Sequence, residues 1–89
     1  MRLQKYYNQP IDPDDLIASA AASECDPIIE GWCGEMTISI KKWSARIFLK
    51  SYGQEWHLRF IKYSHAHEGE VESILAAGER AYRRSVDGF

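Results

Sequence analysis

A chain of 89 residues has room for one domain, and at this size only roughly 60 to 65% of the unfolded surface is buried on folding. An apolar content of 45% with Trp32, Trp43 and Trp56 argues against a disordered chain, no run approaches the roughly 18 apolar residues of a membrane span, and Met1 to Pro10 lacks the apolar stretch of a secretory signal. The net charge of −2 is unevenly spread: residues 12 to 35 hold seven acidic side chains and no Lys or Arg, whereas residues 41 to 63 hold six basic side chains against Glu55, a polarity that can steer a charged partner.

Residues 1–11 show no sustained period and read as an arm or short edge strand of a single domain spanning 1–89. Asp12 suits an N-cap, Pro13 the first helical position, and Asp14 and Asp15 the positive end of the helix dipole, so a helix is expected from here. Its narrow stripe of Leu16, Ile17, Ala20 and Ala21 runs until Pro27 disfavours helical geometry at Asp26, which places the end near Glu24 or Cys25.

From Trp32 the period shortens to two, with Trp32, Met36, Ile38 and Ile40 on the apolar parity of a first strand. A second strand carries Ala45, Ile47 and Leu49 against Arg46, Phe48, Lys50 and Tyr52. After a turn at Tyr52-Gly53-Gln54, a third sets Trp56, Leu58 and Phe60 against His57, Arg59, Ile61 and Tyr63. The last element is a helix from about His67 to Ser85 with a stripe of Val71, Ile74, Leu75, Gly78 and Tyr82, Glu68, Glu70 and Glu72 at its start, Arg80, Arg83 and Arg84 at its end, and Asp87-Gly88 as a stop. Gly78 on the stripe points to close backbone approach to the sheet. The fold expected is α+β: a helix, a three-stranded antiparallel β-meander, and a C-terminal helix packed on the sheet. Ile38, Ile47, Leu58, Phe60, Val71, Leu75 and Tyr82 should share its core.

The order helix, meander, helix over residues 12–85 resembles double-stranded RNA-binding domains in topology. That family presents a lysine-rich start of its second helix to phosphate, where this chain has Glu68, Glu70 and Glu72, so the activity is not carried over.

No catalytic motif is present. Cys33 and a histidine could be drawn as nucleophile and base, yet neither sits in an active-site pattern. His65 and His67, with Cys25, Cys33 and His57, lack the paired spacing of a structural zinc site and read as a surface loop, so neither metal nor cofactor is expected. Cys25 and Cys33 read as free thiols, which favours a reducing, cytoplasmic setting.

The second parity of the sheet interleaves basic and aromatic residues, and Arg46, Phe48, Lys50, Tyr52, His57, Arg59 and Tyr63, with Trp43 at the first hairpin, are the candidate partner-binding residues. Such a face suits a protein partner, because Arg and aromatic residues are enriched where interfaces are most buried; the alternative is single-stranded nucleic acid, with rings stacking on bases and cations following phosphates. A third reading has the first helix or a loop covering part of this face, with the charges as solvated ends. Trp32 and Trp56 fall on the core parity. In size and charge the chain resembles the inhibitors, antitoxins and immunity proteins of phages and other mobile elements, including inhibitors of CRISPR effectors. The expectation is a non-enzymatic module, monomer or homodimer, that occupies a surface of a larger protein or complex and does not bind membranes.

Overall fold

The computed structural model describes residues Arg2–Asp87. Along the chain run β1 (Arg2–Pro10), α1 (Pro13–Ala22), β2 (Ile28–Trp32), β3 (Glu35–Ile40), β4 (Ala45–Tyr52), β5 (Glu55–Ser64) and α2 (Glu68–Val86), with single 3-10 turns at Lys41–Trp43 and His65–His67. All five strands join one antiparallel sheet in the order β1-β5-β4-β3-β2. The expected three-stranded meander is therefore corrected to five strands: the N-terminal segment is a full edge strand, and the residues after Pro27 form a strand of their own. The likeness to double-stranded RNA-binding domains falls with it, since four strands separate the helices and a fifth precedes them.

β2 and β3 are separate because Cys33 and Gly34 both adopt positive φ, 46° and 80°, the signature of a two-residue type I′ hairpin turn. That turn sets Trp32 opposite Glu35 and reverses the parity expected of the tryptophan.

α1 starts as its sequence dictates, with Asp12 Oδ1 accepting from the Asp14 amide at 2.9 Å and Pro13 just inside. It ends at Ala22, with Ser23 as C-cap and Glu24 at φ 60°. α2 buries Val71, Ile74, Leu75, Gly78 and Ala81 and leaves Tyr82 half-buried; Gly88 of the expected stop lies outside the described residues. Both helices cover the same sheet face, because Leu16, Ala20, Val71, Ile74 and Leu75 join Ile38, Ile40, Ile47, Leu49, Leu58, Ile61 and Tyr63 in one buried cluster.

Gly78 is where the two helices meet. A Cβ there would lie 2.9 Å from Ile11 Cγ1, 3.0 Å from Leu16 Cγ and 3.1 Å from the Asp12 carbonyl, and the Gly78 carbonyl accepts from the Asp12 amide at 3.1 Å. The close approach is thus to the start of α1 and not to the sheet.

In β5 the side-chain alternation changes phase. Phe48 pairs with Phe60 but Leu49 pairs with Leu58, so Arg59 is an extra residue, a β-bulge. Trp56 and Leu58 face the helices before the bulge, Ile61 and Tyr63 after it, and Phe60 turns to the opposite face. The expected placement of Phe60 in the core and of Ile61 and Tyr63 on the basic face is corrected accordingly.

Candidate protein-binding face

The uncovered face of the sheet is built in cross-strand rows. Opposed residues of neighbouring antiparallel strands project to the same side. One row therefore runs Tyr6, Phe60, Phe48, Thr37, Glu30; its neighbour runs Gln4, Lys62, Arg46, Ser39, Ile28; and a third holds His57, Lys50, Glu35 and Trp32.

The first row is a rack of aromatic rings. Phe48 and Phe60 stack with centroids 4.2 Å apart and planes 16° from parallel, and Tyr6 follows at 5.6 Å and 34°. Rings on adjacent strands reach that separation only with one face turned to the next, so they stand up from the sheet and present their edges outward. Tyr6 is 74% exposed, and its hydroxyl takes a hydrogen bond from Gln4.

Cations border the rack on both sides. Lys62 Nζ lies 6.0 Å from the Phe60 centroid. Toward the other end, Lys50 Nζ and Arg59 Cζ lie 5.8 and 5.9 Å from the Tyr52 centroid, and Arg59 also donates to the Tyr52 hydroxyl. Arg59 stands on this face as its alternation with Leu58 dictates, and the bulge brings Phe60 onto the face beside it.

His57 is held among neighbours. Its Nε2 lies 2.8 Å from Glu55 Oε1, and its ring packs edge-on against Tyr52 at 4.9 Å. Glu55 in turn accepts from the Tyr82 hydroxyl at 2.7 Å, tying the start of β5 to the end of α2. That hydroxyl, followed by His57, holds the Glu55 carboxyl below the usual carboxylate range, and the same bond raises Tyr82.

Of the residues expected to form the face, Arg46, Phe48, Lys50, Tyr52, His57 and Arg59 stand on it. Tyr63 and Trp43 do not. Tyr63 is fully buried under α2, its hydroxyl donating to Glu68 Oε2 at 2.7 Å, and desolvation raises its pKa. Trp43 is 4% exposed, because the 3-10 turn and the left-handed Ser44, φ 50°, fold the indole back into the core. Trp32, expected in the core, is 80% exposed. Tyr6, Phe60 and Lys62 were missed. The two-residue period of Gln4, Tyr6 and Asn8 against Leu3, Lys5 and Tyr7 was a faint signal for β1, whereas a bulge leaves no mark in a hydropathy pattern.

His65 and His67 pair with Glu68 and Glu70, at 4.0 and 2.8 Å. Cys25 is buried, and Cys33 is exposed in the β2–β3 turn, with no disulfide between them. Among the described residues no helix is long and apolar enough to cross a membrane. Comparison of the chain with protein-family models, with curated proteins and with solved structures finds no match.

Proposed function

We propose that this chain is a non-enzymatic protein-binding module whose open sheet face docks on an acidic, partly apolar surface of a larger protein, in the manner of a stoichiometric inhibitor or regulator. The observation that carries the reading is the uncovered Tyr6, Phe60, Phe48 rack between Lys62 and Arg46 on one side and Lys50 and Arg59 on the other. Neither helix lies over it, so its apolar edges meet water unless a partner covers them.

The upright rings favour protein over nucleic acid. A base stacks on a free ring face, and here Phe48 and Phe60 each turn a face to the other. Ring edges bordered by guanidinium and ammonium groups suit carboxylates and apolar side chains, the mixture found at interface centres. Fluorescence anisotropy with single- and double-stranded DNA and RNA tests the choice. No oligonucleotide should bind tighter than roughly 10 μM at physiological salt, near the weak range of non-specific binding. Submicromolar binding lost in folded Arg46→Glu and Arg59→Glu variants would overturn the reading in favour of nucleic acid.

A further inference from the structure

The sheet has two free edges, and they differ. β1 is blunted by Lys5, by the irregularity between Tyr6 and Gln9, and by Pro10, all devices that discourage strands from adding to an edge. β2 has none of them. Its register against β3 is unbroken from Ile28 to Trp32, it carries no Lys, Arg or Pro, and every residue in it is exposed, including Ile28 at 42% and Ile29 at 44%.

The phase of the ladder shows which groups β2 offers. The Ser51 amide donates to the Gly34 carbonyl at 2.7 Å, so in β3 the even-numbered residues bond toward β4 and Glu35, Thr37 and Ser39 bond toward β2. Their partners Trp32, Glu30 and Ile28 are thereby satisfied. Ile29 and Gly31 are left with N–H and C=O pointing out of the sheet.

We propose that the β2 edge pairs antiparallel with β2 of a second copy of this chain, about a two-fold axis through Glu30, to give one continuous ten-stranded sheet. This register sets Ile29 opposite Gly31 twice, so all the outward backbone groups of both residues bond across the axis. It also sets Ile28 of each protomer against Trp32 of the other, covering both exposed side chains on the open face. Centring on Ile29 would instead oppose Gly31 to Pro27, which has no N–H, and centring on Gly31 would oppose Ile29 to Cys33, already in the left-handed turn. Within β2 this register opposes Glu30 to Glu30 at the axis, an unfavourable contact that keeps the association weak. Arg46 lines the same shallow cleft as Ile28 and Glu30 and supplies a cation near it.

Sedimentation velocity of the full chain over a concentration series tests the pairing. The expected result is a reversible monomer–dimer equilibrium with Kd between about 10 μM and 1 mM, as a small interface gives. Ile29→Pro removes one outward N–H per chain while leaving the β2–β3 bonds, and should weaken the dimer at least about tenfold. Glu30→Gln relieves the axial repulsion and should tighten it about threefold. Amide hydrogen exchange of the unmodified protein provides the check that depends on no variant: Ile29 and Gly31 should gain protection as concentration rises, while Tyr6 on the far edge should not. A chain that remains monomeric to about 1 mM, or a dimer without protection at Ile29 and Gly31, overturns the proposal.

Discussion

Phe60 reaches Phe48, ring on ring at 4.2 Å, only because Arg59 is inserted between Phe60 and Leu58 in β5. Without the bulge Phe60 would share the inward parity of Leu58 and face α2. The same inserted residue turns Ile61 and Tyr63 into the core.

This relationship separates two substitutions that the alternation of β5 would make equal. Leu58→Ala empties a fully buried site and should cost about 2 to 5 kcal/mol, whereas Phe60→Ala removes a partly buried ring with its contacts to Phe48 and Tyr6 and should cost less than about 2 kcal/mol. Urea denaturation of both variants measures the difference. Equal losses would place Phe60 back in the core.

Much of the architecture was legible from residues whose signal is local. Asp12-Pro13 marked the start of α1, and the stripe of Val71, Ile74, Leu75 and Gly78 marked the buried side of α2. The alternation of Ala45, Ile47 and Leu49 gave the correct parity for β4. What failed depended on phase. A period of two carries no memory across an inserted residue, so Arg59 inverted the assignments of Phe60, Ile61 and Tyr63, and the turn at Cys33-Gly34 inverted that of Trp32. β2 was hidden because a five-residue edge strand exposed on every residue need not alternate. The basic and aromatic character of the candidate face was readable, whereas its being left open by both helices required the tertiary arrangement.

Gly78→Ala should destabilise the protein by about 1 to 3 kcal/mol, against the gain of about 1 kcal/mol that the same change gives in an open helix. The added methyl meets Ile11 at 2.9 Å and the Asp12 backbone at 3.1 Å, and the latter cannot swing aside without losing its bond to Gly78. Thermal denaturation decides the sign, and a raised Tm would contradict tight contact between the start of α1 and the middle of α2.

Cys33 occupies a left-handed position that Asn adopts more readily, and Asn-Gly is a preferred pair for this turn. Cys33→Asn should therefore stabilise the chain by about 0.5 kcal/mol. A loss of stability in urea denaturation would argue against the two-residue turn.

Glu55 and Glu68 are both lowered in the folded chain, first by the hydroxyls of Tyr82 and Tyr63 respectively. A carboxylate whose folded pKa lies below its unfolded value adds stability that is present above the unfolded value, near 4.5, and lost as pH falls through the folded value. Stability should thus decline on acidification below about pH 4.5, and Tyr82→Phe should flatten the part that Glu55 contributes. Denaturant midpoints from pH 7 downward measure both, and an unchanged pH slope in Tyr82→Phe would contradict the Tyr82–Glu55 bond.

The open face is tested most directly by affinity capture from the native host after nuclease treatment, using the unmodified chain beside Tyr6→Ala, Arg46→Glu and, as a control on the exposed side of α2, Arg80→Glu. Tyr6 and Arg46 stand on the uncovered face and are exposed, so neither change should disturb the core, and retained circular dichroism verifies this. One protein should be recovered in stoichiometric amount by the unmodified chain and by Arg80→Glu, and lost from both face variants. Recovery that is undiminished by Tyr6→Ala and Arg46→Glu, or that disappears on nuclease treatment, would contradict it.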